Sequence, residues 1–574
     1  MRFRIPSLSG SLARPIGTTL GKKTQSSPVP DNPTLMPPAN LALRLIGPAL
    51  LGILLALFWV TRSFALIPHS ADEGIYFYGA KRMAEGLVPY RDFFHAHPPF
   101  HLLPTAILLW LADYSLALVK APVFFWAAFQ GAAAYLIVLR LQPNASRLAR
   151  EASGLIAAAL LLFCESMLKG AAYDTGIVQA SGIVALGAVL LVTGRFLGAG
   201  IVVACAPLTL LQSGPAAALV VIAALAMDRR KGLKTMASAA ATFALVHLIY
   251  WGIAGSAFWQ QTYLFHIEKV ENRGEGAIQL GYSLYDNWAL FVSAAVGTLA
   301  LMLGERKQRI IGILCLGATA LTFIAMATRP RVFPFYFLPA FFSAALATGL
   351  GLGRIVNRIH AALRERNASR VDFTVWAPAL IWVGLLTLLA DPVSSAISPA
   401  RAAQVASYEQ TYTWVDGPGI GGGLNGVMRS LFWRDGKRDR GVDANPITQY
   451  LWQRSRWLNV VPDMVEAVRA ERQLRVETTL FGDSTIVPLV AMEAGVSITG
   501  DLVDTNTQRI GAGNLTMAEV LALLDTQPSA LVLVGSSGIG SNPELRTYLQ
   551  QKYGVLRHFT PTTGRNFTLF RRKT

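Results

Sequence analysis

Long apolar runs, separated by short polar breaks, fill the first two thirds of the chain. The runs at 41–65, 121–139, 154–168, 176–192, two within 197–227, and 236–252, 287–303, 310–326, 333–351 and 376–389 read as membrane spans, about eleven in all. A shorter apolar piece at 99–111, closed by Asp113, reads as a re-entrant or surface helix. Just before it, residues 75–86 have helical spacing, with Tyr76 and Phe77 near Ala80 and Met83 and with Lys81, Arg82 and Glu85 elsewhere around the helix. Gly86 and Pro89 stop it. Such a helix is expected at the membrane surface, its aromatic residues in the interface. From about Val476 the pattern changes to alternating short elements: strands at 476–481, 496–500, 530–534 and 566–570, and helices at 485–494, 516–524 and 542–552, a small α/β domain.

Charge orients the runs. Basic clusters follow alternate spans: Arg140, Arg147 and Arg150; Arg195; Arg229, Arg230, Lys231 and Lys234; Arg306, Lys307 and Arg309; and Arg354, Arg358, Arg364, Arg366 and Arg370. All fall on one side when 99–111 is not counted as a span, and counting it would move the later clusters to the other side. Residues 1–40, basic and rich in Ser, Thr, Pro and Gly, read as a disordered cytoplasmic tail. The amino terminus is therefore expected inside and the stretch after the first span outside. Residues 41–390 form the membrane domain and 391–574 a soluble extracytoplasmic domain.

Composition agrees with this reading: 53% hydrophobic and 15% charged residues over 574 positions, with a mean hydropathy of +0.41, exclude an ordinary soluble protein. A net charge of +17 does not point to nucleic acid, because the basic residues lie in short clusters between apolar runs. The three cysteines, Cys164, Cys205 and Cys315, sit inside apolar runs and read as small hydrophobes.

Candidate chemistry concentrates in the outer loop 66–120. Asp72, Glu73, Glu85, Asp92, His95, His97 and His101 fall between 71 and 101, so three of the eight histidines are here. Carboxylates and neutral imidazoles serve as bases, phosphate contacts or metal ligands. Other outward loops carry Lys169, Tyr173 and Asp174; His266, Glu268, Lys269, Glu271, Arg273 and Glu275; and Arg329 and Arg331. An acidic residue such as Asp174 at the mouth of two spans is neither a cytoplasmic anchor nor a comfortable neighbour of lipid. Together the loops form a shallow pocket suited to a lipid-linked phosphate. In the soluble part, the run DGPGIGGGLNG at 416–426 lacks the order of a phosphate loop. Trp414, Trp433, Trp452 and Trp457 are equally readable as sugar-stacking groups or interfacial anchors. Asp483 and Ser484 end the first strand, where a helix cap is the ordinary role.

Asp72 and Glu73 after the first span, the following PYRDFFHAHPP, the basic residue and Asp174 after the third span, and RPRVFPFYFLP at 329–339 resemble the bacterial relatives of protein O-mannosyltransferases and the aminoarabinose transferase of lipid A. That resemblance implies a polytopic α-helical GT-C membrane fold with a carboxy-terminal extracytoplasmic α/β domain, in the bacterial inner membrane. It implies Asp72 as the base or a metal-associated group, with Glu73 beside it and Asp174 as the second-loop acid. Asp92, His95, His97, Lys169, Arg329 and Arg331 are the expected substrate and phosphate contacts. His266 and Glu268 are the possible matches to the family's metal ligands, for a divalent cation such as Mg, Mn or Zn; no organic cofactor is expected. The implied reaction moves a sugar from a polyprenyl-phosphate donor to an acceptor hydroxyl of a glycan, lipid or protein, with inversion. A lipid-linked-sugar flippase or a non-catalytic envelope assembly protein is the alternative. A flippase would place polar groups within broken spans, and here only the break from Gln212 to Pro215 has that look.

Overall fold

The computed structural model describes residues 38–61, 71–171, 173–268, 275–329, 332–364, 460–475, 478–561 and 565–573. Two units divide the chain, Met1–Ile46 and Gly47–Thr574, and the site lies wholly in the second. The membrane part comprises α1 (Pro38–Thr61), α2 (Ala71–Ala84), α3 (Leu103–Leu111), α4 (Leu116–Leu141), α5 (Arg147–Leu162), α6 (Glu165–Gly170), α7 (Ile177–Val192), α8 (Phe196–Cys205), α9 (Gly214–Met227) and α10 (Arg229–Ala254). It continues through α11 (Ser256–Trp259), α12 (Phe265–Glu268), α13 (Glu275–Asp286), α14 (Trp288–Met302), α15 (Arg306–Ala327) and α16 (Leu338–Arg364). Among the described residues four of these helices are long and apolar enough to cross a bilayer, and five shorter ones are apolar. A helix stands at every span read from the sequence up to 351; the run at 376–389, the glycine run and the four tryptophans lie outside the described residues.

Local chemistry sets several helix starts. Ser115, Ser146 and Asp228 cap α4, α5 and α10, each side chain accepting a backbone N–H of the first turn. α16 is the axis of the bundle, 89% buried along its apolar window, and packs on α14, α5, α15, α4 and α7. Its crossing with α14 is glycine against glycine: a Cβ on Gly351 would meet the Cα of Gly297 at 2.3 Å, the close approach that small residues give membrane helices. α10, by contrast, turns Leu245, Leu248, Ile249, Trp251 and Ile253 outward, as a lipid-facing helix does.

A five-stranded sheet in the order β2-β1-β3-β5-β4 forms the carboxy-terminal α/β domain, the soluble domain of the sequence reading, with β1 (Thr479–Gly482), β2 (Ser497–Ile498), β3 (Leu531–Gly535), β4 (Tyr553–Phe559) and β5 (Phe567–Arg572). β1 lies parallel to β2 and β3, while β5 runs antiparallel to β3 and β4. The pleat sorts the core. Leu480, Leu531, Leu533 and Leu569 face one side with the helices Val461–Leu474 and Val487–Ala494. Phe481, Val532 and Val534 face the other with the helices Met517–Thr526 and Pro543–Lys552.

Three expectations change. α2 begins at Ala71, so Asp72 and Glu73 occupy its first turn, where carboxylates meet the positive end of the helix dipole. Its aromatic face does not enter lipid: Phe77 and Tyr78 are buried in the core shared with Val490, Leu480 and Val461 of the soluble domain. The sequence reading also missed the amphipathic helix Val461–Leu474 and the strand β4.

Candidate active site

At one end of the bundle α2, the loop 85–102, α12 and the residues around Arg329 meet the α/β domain around a cleft of about 140 Å³. Asp72 lines it, and the adjacent carboxylate does not. Successive helical positions diverge by about 100°, so Glu73 points inward, where it is fully buried. Its Oε1 lies 3.0 Å from Nζ of Lys120, also fully buried on α4, and accepts the backbone N–H of Asp174 at 2.9 Å. Glu73 therefore fixes the loop after α6 to α2. That same loop returns Tyr173, whose Oη donates to Oδ2 of Asp72 at 2.9 Å. Tyr173 is in turn wedged against Phe333 and Phe335.

Asp174 is buried behind Asp72 and does not line the cleft. Burial, then the charge of Glu73, raises its carboxyl to about 7. Gly176, two residues on, adopts a φ of +77°, and a Cβ there would meet the His101 ring at 2.6 Å. The second loop thus approaches the histidine loop as only glycine permits.

The histidine loop is itself tightly held. Tyr90 stands at φ 71°, a left-handed conformation uncommon for a bulky residue. Its Oη donates to the His97 carbonyl at 2.6 Å, and its ring packs on Tyr250 and Phe258. Gln261 bridges the loop, accepting from the His95 N–H at 2.9 Å and donating to the Tyr90 carbonyl at 3.1 Å. Rings of His95, His97, His101 and His266 then gather, with neighbouring centroids 5.0–5.8 Å apart. Burial pushes His101 down to about 3; it also holds His95 well below its ordinary value, with His101 adding to the effect. These two imidazoles are neutral at pH 7, so they offer single hydrogen bonds and not positive charge to a phosphate. Tyr76 joins the cluster through His97 Nε2 at 2.9 Å. Its phenol is raised well above its ordinary range by burial first, then by Asp72, with Tyr336, Asp504 and Asp174 adding less.

Of the residues expected in the site, the cleft gathers Asp72, His95, His97, His266 and Arg329. Asp92 stays outside, accepting the Val88 N–H at 2.7 Å and pairing with Arg91 at 2.8 Å; these partners lower it to about 2 and make it a turn residue. Glu268 is exposed two positions beyond His266 on α12, about 200° around the helix, while His266 Nε2 sits 2.6 Å from the Ala96 carbonyl. The two side chains are thus not placed together, and among the described residues no group of three His, Cys, Asp or Glu is arranged to hold a metal ion. Arg331 and the side chain of Lys169 lie outside the described residues. Among the described residues Arg329 is the exposed cation of the cleft, its backbone carbonyl accepting the Gly276 N–H at 3.2 Å.

No protein-family profile and no curated protein sequence matches this chain. Solved structures do. ArnT from Cupriavidus metallidurans bound to undecaprenyl phosphate aligns with a TM-score of 0.53 at 12% identity, over 91% of this chain and 97% of its own. The same protein in the apo state aligns at 0.54 and 12%, over 92% and 98%. The chain has the ArnT fold. The resemblance read from Asp72, PYRDFFHAHPP and RPRVFPFYFLP is thus shown at the level of architecture: a polytopic helical GT-C-like membrane fold followed by an α/β domain.

Within this ArnT fold, several residues of the cleft and its support were not assigned to the site by the sequence. Gln212 reaches the cleft from the 3-10 turn between α8 and α9, so the break that looked transporter-like opens onto the same site. Tyr336 follows from RPRVFPFYFLP but was not singled out. Asp504, Asn506 and Gln508 come from the soluble domain, more than 400 positions from Asp72. Lys120 could have been suspected as a lone cation within an apolar run, a position that requires a buried partner.

Proposed function

We propose that the protein is a glycosyltransferase that moves a sugar from a polyprenyl-phosphate carrier to an acceptor hydroxyl on the extracytoplasmic face of the inner membrane. The observation that carries this reading is the cleft itself: a half-buried carboxylate, Asp72, fixed by Tyr173, opens onto the same small cavity as Arg329, at the outer end of the spans. A lipid-linked phosphate approaching from the bilayer meets the guanidinium, whose fork suits phosphate oxygens. Asp72 removes the acceptor's hydroxyl proton, the acceptor oxygen forms a bond to the sugar's anomeric carbon, and the bond from that carbon to the phosphate oxygen breaks with its electron pair leaving on the carrier phosphate. Attack opposite the leaving group inverts the centre. Arg329, with Lys169 and Arg331 expected nearby, balances the charge on the leaving phosphate. Undecaprenyl phosphate, bound by the structurally similar ArnT, is the carrier this reading favours.

The same proposal includes eleven spans, a cytoplasmic tail of residues 1–40, a membrane domain of 41–390 and an extracytoplasmic domain of 391–574. Mass spectrometry of envelope glycans and glycolipids, from cells with and without the gene, tests the activity. The expected result is loss of one glycosylated species with accumulation of its lipid-linked sugar; identical profiles would contradict it.

A further inference from the structure

Among the described residues, the soluble domain reaches the cleft through the loop Asp504 to Gln508, which follows β2 at the carboxyl edge of the parallel strands. We propose that Asp504 and Gln508, on the frame that Asn506 builds, form the subsite that recognises the hydroxyl groups of the donor's sugar. This inference rests on the transferase reading and adds to it which wall holds the sugar.

Position is the first argument. In sheets with parallel strands, ligands sit outside the carboxyl ends, and this loop is tied there: Thr505 Oγ1 donates to the Gly482 carbonyl at the end of β1 at 2.7 Å and accepts the Ser484 N–H at 3.0 Å. Asp72 and Arg329 come from the membrane domain, so a carrier arriving from the bilayer presents its phosphate to their side. The transferred ring is left to the rest of the lining, to which the α/β domain contributes Asp504, Asn506 and Gln508 beside the neutral histidine loop.

Rigidity is the second. Asp504 accepts the Asn506 N–H at 3.1 Å, Asn506 caps the helix Thr507–Gly511 by accepting the Arg509 N–H at 2.8 Å, and Arg509 Nη1 returns to the Asp504 carbonyl at 2.7 Å. The Arg509 guanidinium lies 4.0 Å above the centre of the Phe94 ring, a cation–π contact that keys the loop to the histidine segment. A frame fixed on both sides loses little freedom when a ligand binds.

Chemistry is the third. A carboxylate and a carboxamide present paired acceptors and donors in a plane, matching hydroxyl groups along the edge of a sugar. The same cleft offers Tyr76 and Tyr336 as ring faces for its C–H surface. A phosphate would be repelled by Asp504, so these groups are not a second anion site.

The test is equilibrium binding to the purified full chain in nanodiscs. The probes are undecaprenyl phosphate and its hexosyl, pentosyl and N-acetylhexosaminyl forms. The wild-type protein should bind at least one sugar-bearing lipid tighter than the bare carrier. In Asp504→Asn and in Gln508→Ala that gain should fall by about 10-fold, the worth of a lost hydrogen bond to a charged or well-placed group, while the bare carrier binds as in the wild type. Unchanged carrier binding also shows that each variant is folded. A retained sugar gain in both variants, equal losses for bare and sugar-bearing lipids, or no gain from any sugar in the wild-type protein would overturn the inference. Failure of the wild-type protein to bind any of the lipids would overturn the transferase reading, and the inference with it.

Discussion

Adjacent carboxylates at the start of α2 serve opposite ends, and burial separates them. Asp72 reaches the cleft, whereas Glu73 is sealed against Lys120 and the Asp174 backbone. Removing one member of a buried pair leaves an uncompensated charge and costs about 3–5 kcal/mol, while replacing both by groups that pack is far milder. Glu73→Gln should therefore lower thermal stability and accumulation sharply, and Lys120→Met in the same protein should restore most of the loss. A Glu73→Gln protein of normal stability but poor turnover would instead make Glu73 a participant in the reaction. Asp174 gives a pH signature. Its carboxyl, raised to about 7 when folded from an ordinary 3.8, binds its proton more tightly in the folded state, so its contribution to stability is present below about 4 and is lost as pH rises to 7. Asp174→Asn should thus gain stability relative to wild type between pH 5 and pH 8 in melting curves; an advantage constant across that window would contradict the shift. Asp72 was legible in the sequence because acid beside the first span is unusual. The hydrogen bond by which Tyr173 holds it, and the pairing of its neighbour Glu73 with Lys120, were not, since each forms only when distant helices close together.

Packing of the helices separates lipid-facing positions from the axis. Gly351 meets the Gly297 backbone with no room for a Cβ, so Gly351→Val should force α14 from α16 at a cost of about 1–3 kcal/mol or more. Gly252, exposed on α10 with open space around it, should tolerate Ala with unchanged or slightly raised stability. Thermal melts in detergent compare the two, and equal effects would contradict the assignment of faces. The spans were readable because twenty apolar residues are a length signal, but a fully apolar run does not say which face meets lipid. α2 shows the opposite difficulty. Its Tyr76 and Phe77 look interfacial on a short amphipathic helix, and only the docked α/β domain reveals that Phe77 is buried in its core and Tyr76 lines the cleft.

At the scale of the molecule the two domains act as one site. Phe77 and Tyr78 are buried in the soluble domain's core, Tyr78 Oη accepts the Ile498 N–H at 2.8 Å, and Arg82 grips Asp501 at 2.7 and 2.9 Å. A buried aromatic side chain contributes roughly 1.5–3 kcal/mol, a partly solvated ion pair about 1 or less. Phe77→Ala should accordingly loosen the domain more than Asp501→Ala, read as faster proteolysis of the carboxy-terminal part; the reverse order would place the weight on the ion pair. Topology is open to reporters: fusions after Arg150, Arg230 and Arg309 should report cytoplasm, and fusions after Gly86 and Lys573 the outside. An inside carboxy terminus would separate the soluble domain from the cleft it completes. The central claim is that Asp72 is the base of a sugar transfer, and its most direct test is turnover of purified Asp72→Asn with an undecaprenyl-phosphate sugar that the wild-type protein uses, at saturating donor and acceptor. The account predicts a correctly folded protein that binds donor and turns over about 100-fold or more slowly; turnover near that of the wild type would contradict it.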